Sequence, residues 1–151
     1  MADLQLIAHR GNTNGRNPLD ENRVEYLLHG YESVGAVECD IQVWNGRLYF
    51  GHDGPQELVD PTIILQDNWF CHAKNLDALE ALLTLDAHTF WHQTDSVTLT
   101  NRGYVWCYPG QYPVMKQHKT IWLDFDRRFP LDTILLDGPL DCWGLCSDDF
   151  T

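Results

Sequence analysis

Glu38 and Asp40 sit two residues apart in the apolar run "VECDI", and His52-Asp53 follows a tight-turn signal, Asn45-Gly46, and a short return through Leu48, Tyr49 and Phe50. Residues i and i+2 of a strand share a face. Both carboxylates therefore aim the same way, a costly arrangement on an inner face unless a cation or base neutralises them. Oxygen ligands at this spacing suit Mg²⁺ or Ca²⁺. The plainer arrangement is that one acid pairs with a basic side chain and the other meets water at the strand end. A second histidine belongs to "HRG", His9 to Gly11, which closes an earlier apolar run. Two histidines, an arginine and two acids thus fall where strands give way to loops, the end at which parallel barrels gather functional side chains.

The order "IAHRG", "DEN" at Asp20 to Asn22, "ECD" and "GHD" resembles the glycerophosphodiester phosphodiesterase family, whose pattern is H-R, E-N, E-x-D and H-D. The likeness covers about Leu6 to Lys74 and is weaker beyond. It implies a TIM-type barrel that cleaves glycerophosphodiesters with one divalent cation, two histidines as acid and base, and basic side chains on the phosphate. Carried over, it makes His9, His52 and Arg10 the catalytic set, with Arg10 on the phosphate. Glu38 and Asp40 become metal ligands. Glu21 matches the glutamate of the family's P-E-N-T element, counted with Arg10 and Lys74 on the substrate side, although Asp20 and Arg23 replace the proline and threonine. The family's third ligand is the glutamate of an E-x-K; here the stretch is "HAK", so His72 stands in that place and Lys74 keeps the lysine. The cofactor implied is one divalent cation, Mg²⁺ or Ca²⁺ by the family. Mn²⁺ or Zn²⁺ enters if the imidazole of His72 ligates; otherwise His72 is a polar filler and water completes a two-carboxylate site.

These residues need elements to hold them. "LQLIAH" reads as a buried strand, with a loop from Gly11 to Asn17. Val24, Leu27, Leu28, Tyr31 and Val34 fall at helical spacing and Gly35 ends the helix. "AVECDI" is a strand, and Asn45-Gly46 turns a hairpin. "NWFCHAK" is a strand, after which Asn75 caps a helix with Leu76, Leu79, Leu82 and Leu83 on one face. "HTFWHQ", "GYVWCY", "KTIWLDF" and "WGLCSD" complete seven strands besides the hairpin return. Strand–helix alternation in the first half predicts a parallel α/β sheet. The fold expected is a reduced TIM-type barrel of about seven mostly parallel strands, several outer helices missing, in one domain spanning 1–151. The later connections of about ten residues are short for parallel crossovers. His29 reads as solvated surface and His92 as a candidate pocket residue. Trp106, Tyr108 and Trp122 read as core, with a substrate wall as the alternative.

The chain has 151 residues, 10 basic against 22 acidic, and a formal net charge of −12. That balance repels nucleic acid and anionic membranes, and no run approaches the roughly 20 apolar residues of a membrane span. The start, "MADLQLIAHRG", has neither a basic n-region nor an apolar h-region, so a cytoplasmic location is expected. Cys39, Cys71 and Cys107 lie in apolar runs, no C-x-x-C occurs, and Cys142 with Cys146 lacks the usual zinc-knuckle spacing. Buried free thiols are the expectation.

The function expected is metal-dependent hydrolysis of a small glycerophosphodiester-like substrate. The alternative is a catalytically weak or inactive module on the same fold, binding a phosphate-containing ligand or a protein. A jacket short of helices leaves strand faces and edges uncovered, which opens a third class, a homo-oligomer.

Overall fold

Residues 4–111, 118–125 and 142–151 are described in the computed structural model of the chain. Ten strands form a curled sheet: β1 (Gln5–His9), β2 (Val37–Trp44), β3 (Arg47–Phe50), β4 (Glu57–Leu58), β5 (Trp69–Ala73), β6 (Thr89–Phe90), β7 (Val97–Leu99), β8 (Val105–Cys107), β9 (Thr120–Leu123) and β10 (Gly144–Ser147). The order runs β4-β3-β2-β1-β10-β9-β8-β7, with β5 on the other side of β2 and β6 beside β5. Among the described residues three helices accompany them: α1 (Val24–Val34), α2 (Pro61–Ile64) and α3 (Leu76–Thr84).

The expectation of a reduced TIM-type α/β barrel of mostly parallel strands is overturned. The sheet is mixed, because β2–β3, β3–β4 and β7–β8 are antiparallel, and it curls into a half-barrel. The physical reason lies in the connections. A parallel crossover needs a dozen or more residues, usually a helix; the chain between β6 and β8 instead folds back as β7 onto β8. Among the described residues no ladder joins β6 to β8. The turn before β8 meets the edge of β6 instead: Asn101 N–H donates to Thr89 O at 3.0 Å, and Thr89 N–H to Asn101 Oδ1 at 2.9 Å. Strands β4 and β7 have no counterpart among the sequence-based assignments.

Strand alternation sorts the core into two layers. Val37, Cys39 and Ile41 of β2 and Trp69, Cys71 and Ala73 of β5 face outward, where Leu27 of α1 and Ala78 and Leu82 of α3 cover them. On the other face, Ile7, Phe70, Phe90, Trp106, Ile121 and Cys146 fill the inside of the curl. Full burial of a side chain such as Phe70 contributes about 2–3 kcal/mol, so this plug supports whatever sits above it.

Helix α1 lies close on β1 through two glycines. A Cβ on Gly11 would come 2.8 Å from Tyr26 O, and one on Gly30 would come 2.9 Å from Gly11 Cα. Helix α3 starts at Asn75, whose Oδ1 accepts from Ala78 N–H at 2.9 Å as an N-cap does. The same amide brackets the backbone of Val43, its Nδ2 donating to the carbonyl at 3.1 Å. The apolar face expected on α3 is narrower than its leucines suggest, because Leu76 and Leu83 are exposed and Ala78 and Leu82 make the buried contact. Cys39, Cys71, Cys107 and Cys146 are buried free thiols. No helix among the described residues is long and apolar enough to cross a membrane.

Candidate metal and acid–base site

Seven strands, β6-β5-β2-β1-β10-β9-β8, run parallel to their neighbours. Their C-terminal ends therefore share one rim. Period-2 alternation then carries each inner-facing series from the apolar plug up to that rim: Ile7 to His9, Glu38 to Asp40, Phe70 to His72, Phe90 to His92 and Cys146 to Asp148. A cavity of about 400 Å³ opens there, lined among others by His9, Arg10, Glu38, His52, His72 and Lys74. Seven of the eight residues singled out from the sequence meet at this place: six on the cavity wall, and Asp40 paired with two of the lining side chains. Glu21 stands behind Arg10 and lines a neighbouring cavity of about 480 Å³.

Glu38 and Asp40 are almost wholly buried. Burial and the adjacent Asp40 push Glu38 well above the usual carboxylate range, against the opposing pull of Arg10. Asp40 is held below that range: burial works against ionisation, and His72 and the Arg10 guanidinium outweigh it. Arg10 has a left-handed backbone at φ 55°, which turns its side chain back over β2. Its Nε lies 3.0 Å from Asp40 Oδ2 and its Nη1 3.3 Å from Glu21 Oε2. Burial lowers the guanidinium pKa, but Asp40, Glu38 and Glu21 together raise it further. Asn22 adds a second clamp on Asp40, donating to Oδ2 at 3.0 Å and accepting from the backbone N–H at 2.9 Å. Part of the plainer arrangement foreseen for these acids, a pairing with a basic side chain, is therefore present. Lys74 faces the same cavity without an ion pair among the described residues.

Ligand atoms of Glu38, Asp40 and His72 all lie within 4.8 Å of one another. The donor set fits a divalent ion on three observations. Buried Asp40 Oδ1 accepts no well-aligned hydrogen bond, and His72 Nδ1 stands 3.3 Å from it. Nε2 of His72 is 3.4 Å from the carbonyl of His92, which leaves Nδ1 as the ring nitrogen that faces Asp40. A nitrogen and a carboxylate oxygen so placed share a proton or a cation, and about 3.0–3.3 Å is the separation of adjacent ligands each roughly 2.1–2.3 Å from one ion. Finally, two buried carboxylates of which one resists ionisation gain from added positive charge. The backbone carbonyl behind His72 is the kind of partner that orients a ligating imidazole, and Phe90 and His92 hold its ring by stacking at 4.8 and 4.9 Å.

The hairpin delivers His52 by breaking its own ladder. Strict continuation beyond Ile41↔Phe50 would place His52 opposite Cys39, on the outer face. Gly51 leaves the ladder instead, at φ 151°, after its N–H donates to Asp40 O at 3.0 Å. A Cβ there would lie 1.9 Å from Gly54 O. Gln42 Nε2 pins the new path by donating to the carbonyls of Gly51 and His52 at 2.8 and 3.2 Å. His52 Nδ1 then lies 2.7 Å from Asp53 Oδ1.

Asp148 was not singled out from the sequence, although it ends a strand as His9 does. Its Oδ1 lies 2.7 Å from His9 Nδ1 and accepts from Asn12 Nδ2 at 2.8 Å. Asn12 also donates to Glu21 at 2.9 Å and accepts from the Tyr26 hydroxyl at 2.8 Å. Burial opposes the ionisation of Asp148, but His9 and Asn12 hold its carboxyl below the usual range. With a carboxylate on Nδ1, the His9 ring carries its proton there and turns Nε2 to the cavity; Phe125 stacks on it at 4.2 Å. His92 lines the cavity, and burial, then His72 and Lys74, push its imidazole down to about 4. Trp106 and Tyr108 also line it, while Trp122 packs with Val105 and Leu145 on the outside. His29 is exposed. The chain matches no protein-family model, no curated protein and no solved structure.

Proposed function

We propose that the chain is a divalent-metal-dependent phosphodiester hydrolase acting on a small glycerophosphodiester-like substrate, as the resemblance of its motifs implies. The observation that carries the proposal is the meeting of two kinds of group in one cavity. The Glu38, Asp40 and His72 donors lie beside two histidines, each hydrogen-bonded through Nδ1 to an aspartate. Glu38, Asp40 and His72 would hold the ion, which when bound supplies Lewis-acid stabilisation of charge on the phosphoryl oxygens. Lys74 and Arg10 add cationic charge to the same cavity, the largest kind of contribution in such reactions. His9, its Nδ1 proton held by Asp148, takes the proton of the attacking hydroxyl at Nε2. That hydroxyl is water, or the hydroxyl next to the ester, which yields a cyclic phosphate first. As its oxygen bonds to phosphorus, the bond to the departing alkoxide breaks and His52 gives that oxygen a proton.

A binding module without catalysis is favoured by one feature, the 3.0 Å contact of Arg10 with Asp40, which neutralises a carboxylate with no ion. The two readings separate in one experiment. Small phosphodiesters are incubated with Mg²⁺, Mn²⁺, Ca²⁺ or Zn²⁺, with EDTA, and with Glu38→Gln, Asp40→Asn and His9→Ala. Hydrolysis that needs an ion and is lost in all three variants is expected. Turnover that survives EDTA removes the metal assignment, and binding of phosphodiesters without turnover under any ion supports the module.

A further inference from the structure

Part of the cavity wall is used neither by the carboxylates nor by the acid–base pair. Trp106, Tyr108, Leu123 and Phe125 line it, from the C-terminal ends of β8 and β9. Trp106 is buried at 2% exposure and stacks on Phe90 at 4.4 Å, so it forms a fixed backing. Tyr108 is 43% exposed, turned edge-on to His92 at 5.3 Å. Three of these four side chains are aromatic and none carries a formal charge.

A phosphodiester has two alcohol arms, and this wall sits beside the groups assigned to the phosphate. Resting on the phosphodiester reading above, we infer that one arm of the substrate is an uncharged aromatic alcohol seated on Tyr108 against Trp106. Rings attract rings through face and edge contacts that an alkyl arm of equal area does not make. A quaternary ammonium arm would also find ring faces. It would share the cavity with Arg10 and Lys74, which oppose a cation once the carboxylates are neutralised. The arm is therefore flat and neutral.

The test uses the full chain with Mn²⁺ and three simple phosphate monoesters, benzyl phosphate, ethyl phosphate and choline phosphate, each carrying one arm. Binding is followed by calorimetry and by quenching of tryptophan fluorescence. Benzyl phosphate is expected to bind about tenfold more tightly than ethyl phosphate, and Tyr108→Ala to bring the ratio towards one. Tyr108 is exposed enough for its variant to fold. Equal affinity for benzyl and ethyl phosphate, no binding of either, or tighter binding of choline phosphate overturns the inference. Hydrolysis of benzyl and ethyl glycerophosphodiesters, run in parallel, keeps the two readings apart. A benzyl preference with no turnover leaves the aromatic seat standing and removes the hydrolase. Turnover with no benzyl preference does the reverse.

Discussion

At the scale of single residues, Asp148 and His88 show how burial assigns different tasks to ionisable groups. Asp148 fixes the proton of His9 on Nδ1 through a 2.7 Å contact. Asp148→Asn keeps the shape and removes the charge, so the ring can take the wrong tautomer. Under the hydrolase reading kcat falls by about a hundredfold or more with KM little changed, and the acid limb of the pH–rate profile moves. A loss confined to KM would show that Asp148 acts elsewhere. His88 lies on the apolar side of the curl, where its Nε2 meets the Thr100 hydroxyl at 2.8 Å. Burial, then Arg102 and Lys119, push its pKa down from 6.5 to about 4. Between those values the unfolded chain binds the proton and the folded chain does not. The stabilising effect is therefore complete above pH 6.5 and is lost as pH falls to about 4. After solvent screening it amounts to on the order of 2 kcal/mol. Urea unfolding at pH 7 and pH 4.5 checks it: the loss of stability on acidification is smaller in His88→Asn than in the wild type.

At the scale of elements, the hairpin β2–β3 is the device that joins metal ligands to an acid–base group. Its turn was plain in the sequence, since Asn45-Gly46 strongly favours a two-residue loop. The destination of His52 was not plain, because alternation alone sends it to the outer face. The answer depends on the contact between Gly51 and Gly54, which belong to the following loop rather than to the ladder. With a Cβ 1.9 Å from Gly54 O, Gly51→Ala forces the loop away from the rim. A loss of about 2–4 kcal/mol in stability is expected, along with displacement of His52. Denaturant unfolding gives the first quantity, and histidine resonances compared with those of His52→Ala give the second. Wild-type stability in this variant would show that the loop accommodates a side chain and that its path is not set by glycine.

At the scale of the whole molecule, the acidic balance and the buried carboxylates point the same way. The chain carries a formal net charge of −12, and two of its acids lie almost fully buried at one rim. An ion that binds the folded chain alone stabilises it by about 2.7 kcal/mol when present at a hundred times its Kd. For a chain of this length that is a rise in Tm on the order of 5–10 °C. Thermal scans with Mn²⁺, against NaCl of equal ionic strength, are expected to show it in the wild type and not in Glu38→Gln. A rise that NaCl reproduces would mean general screening of surface charge rather than a site.

The sequence by itself determined what depends on near neighbours. Period-2 alternation put Glu38 with Asp40 on one face of a strand. Apolar runs ended at His9 and His72, Asn75 capped its helix, and the cysteines in apolar runs were buried. Each follows from backbone sterics or from the burial of a short segment. Tertiary structure decided what depends on strands meeting at a distance. His9 and Asp148 are 139 positions apart, and they touch because β1 pairs with β10. The mixed order of the sheet, the return of β7 onto β8 and the open curl in place of a barrel follow from which edges pair. No local window carries that information, because strand order is set by non-local contacts whose cost is the closure of long loops.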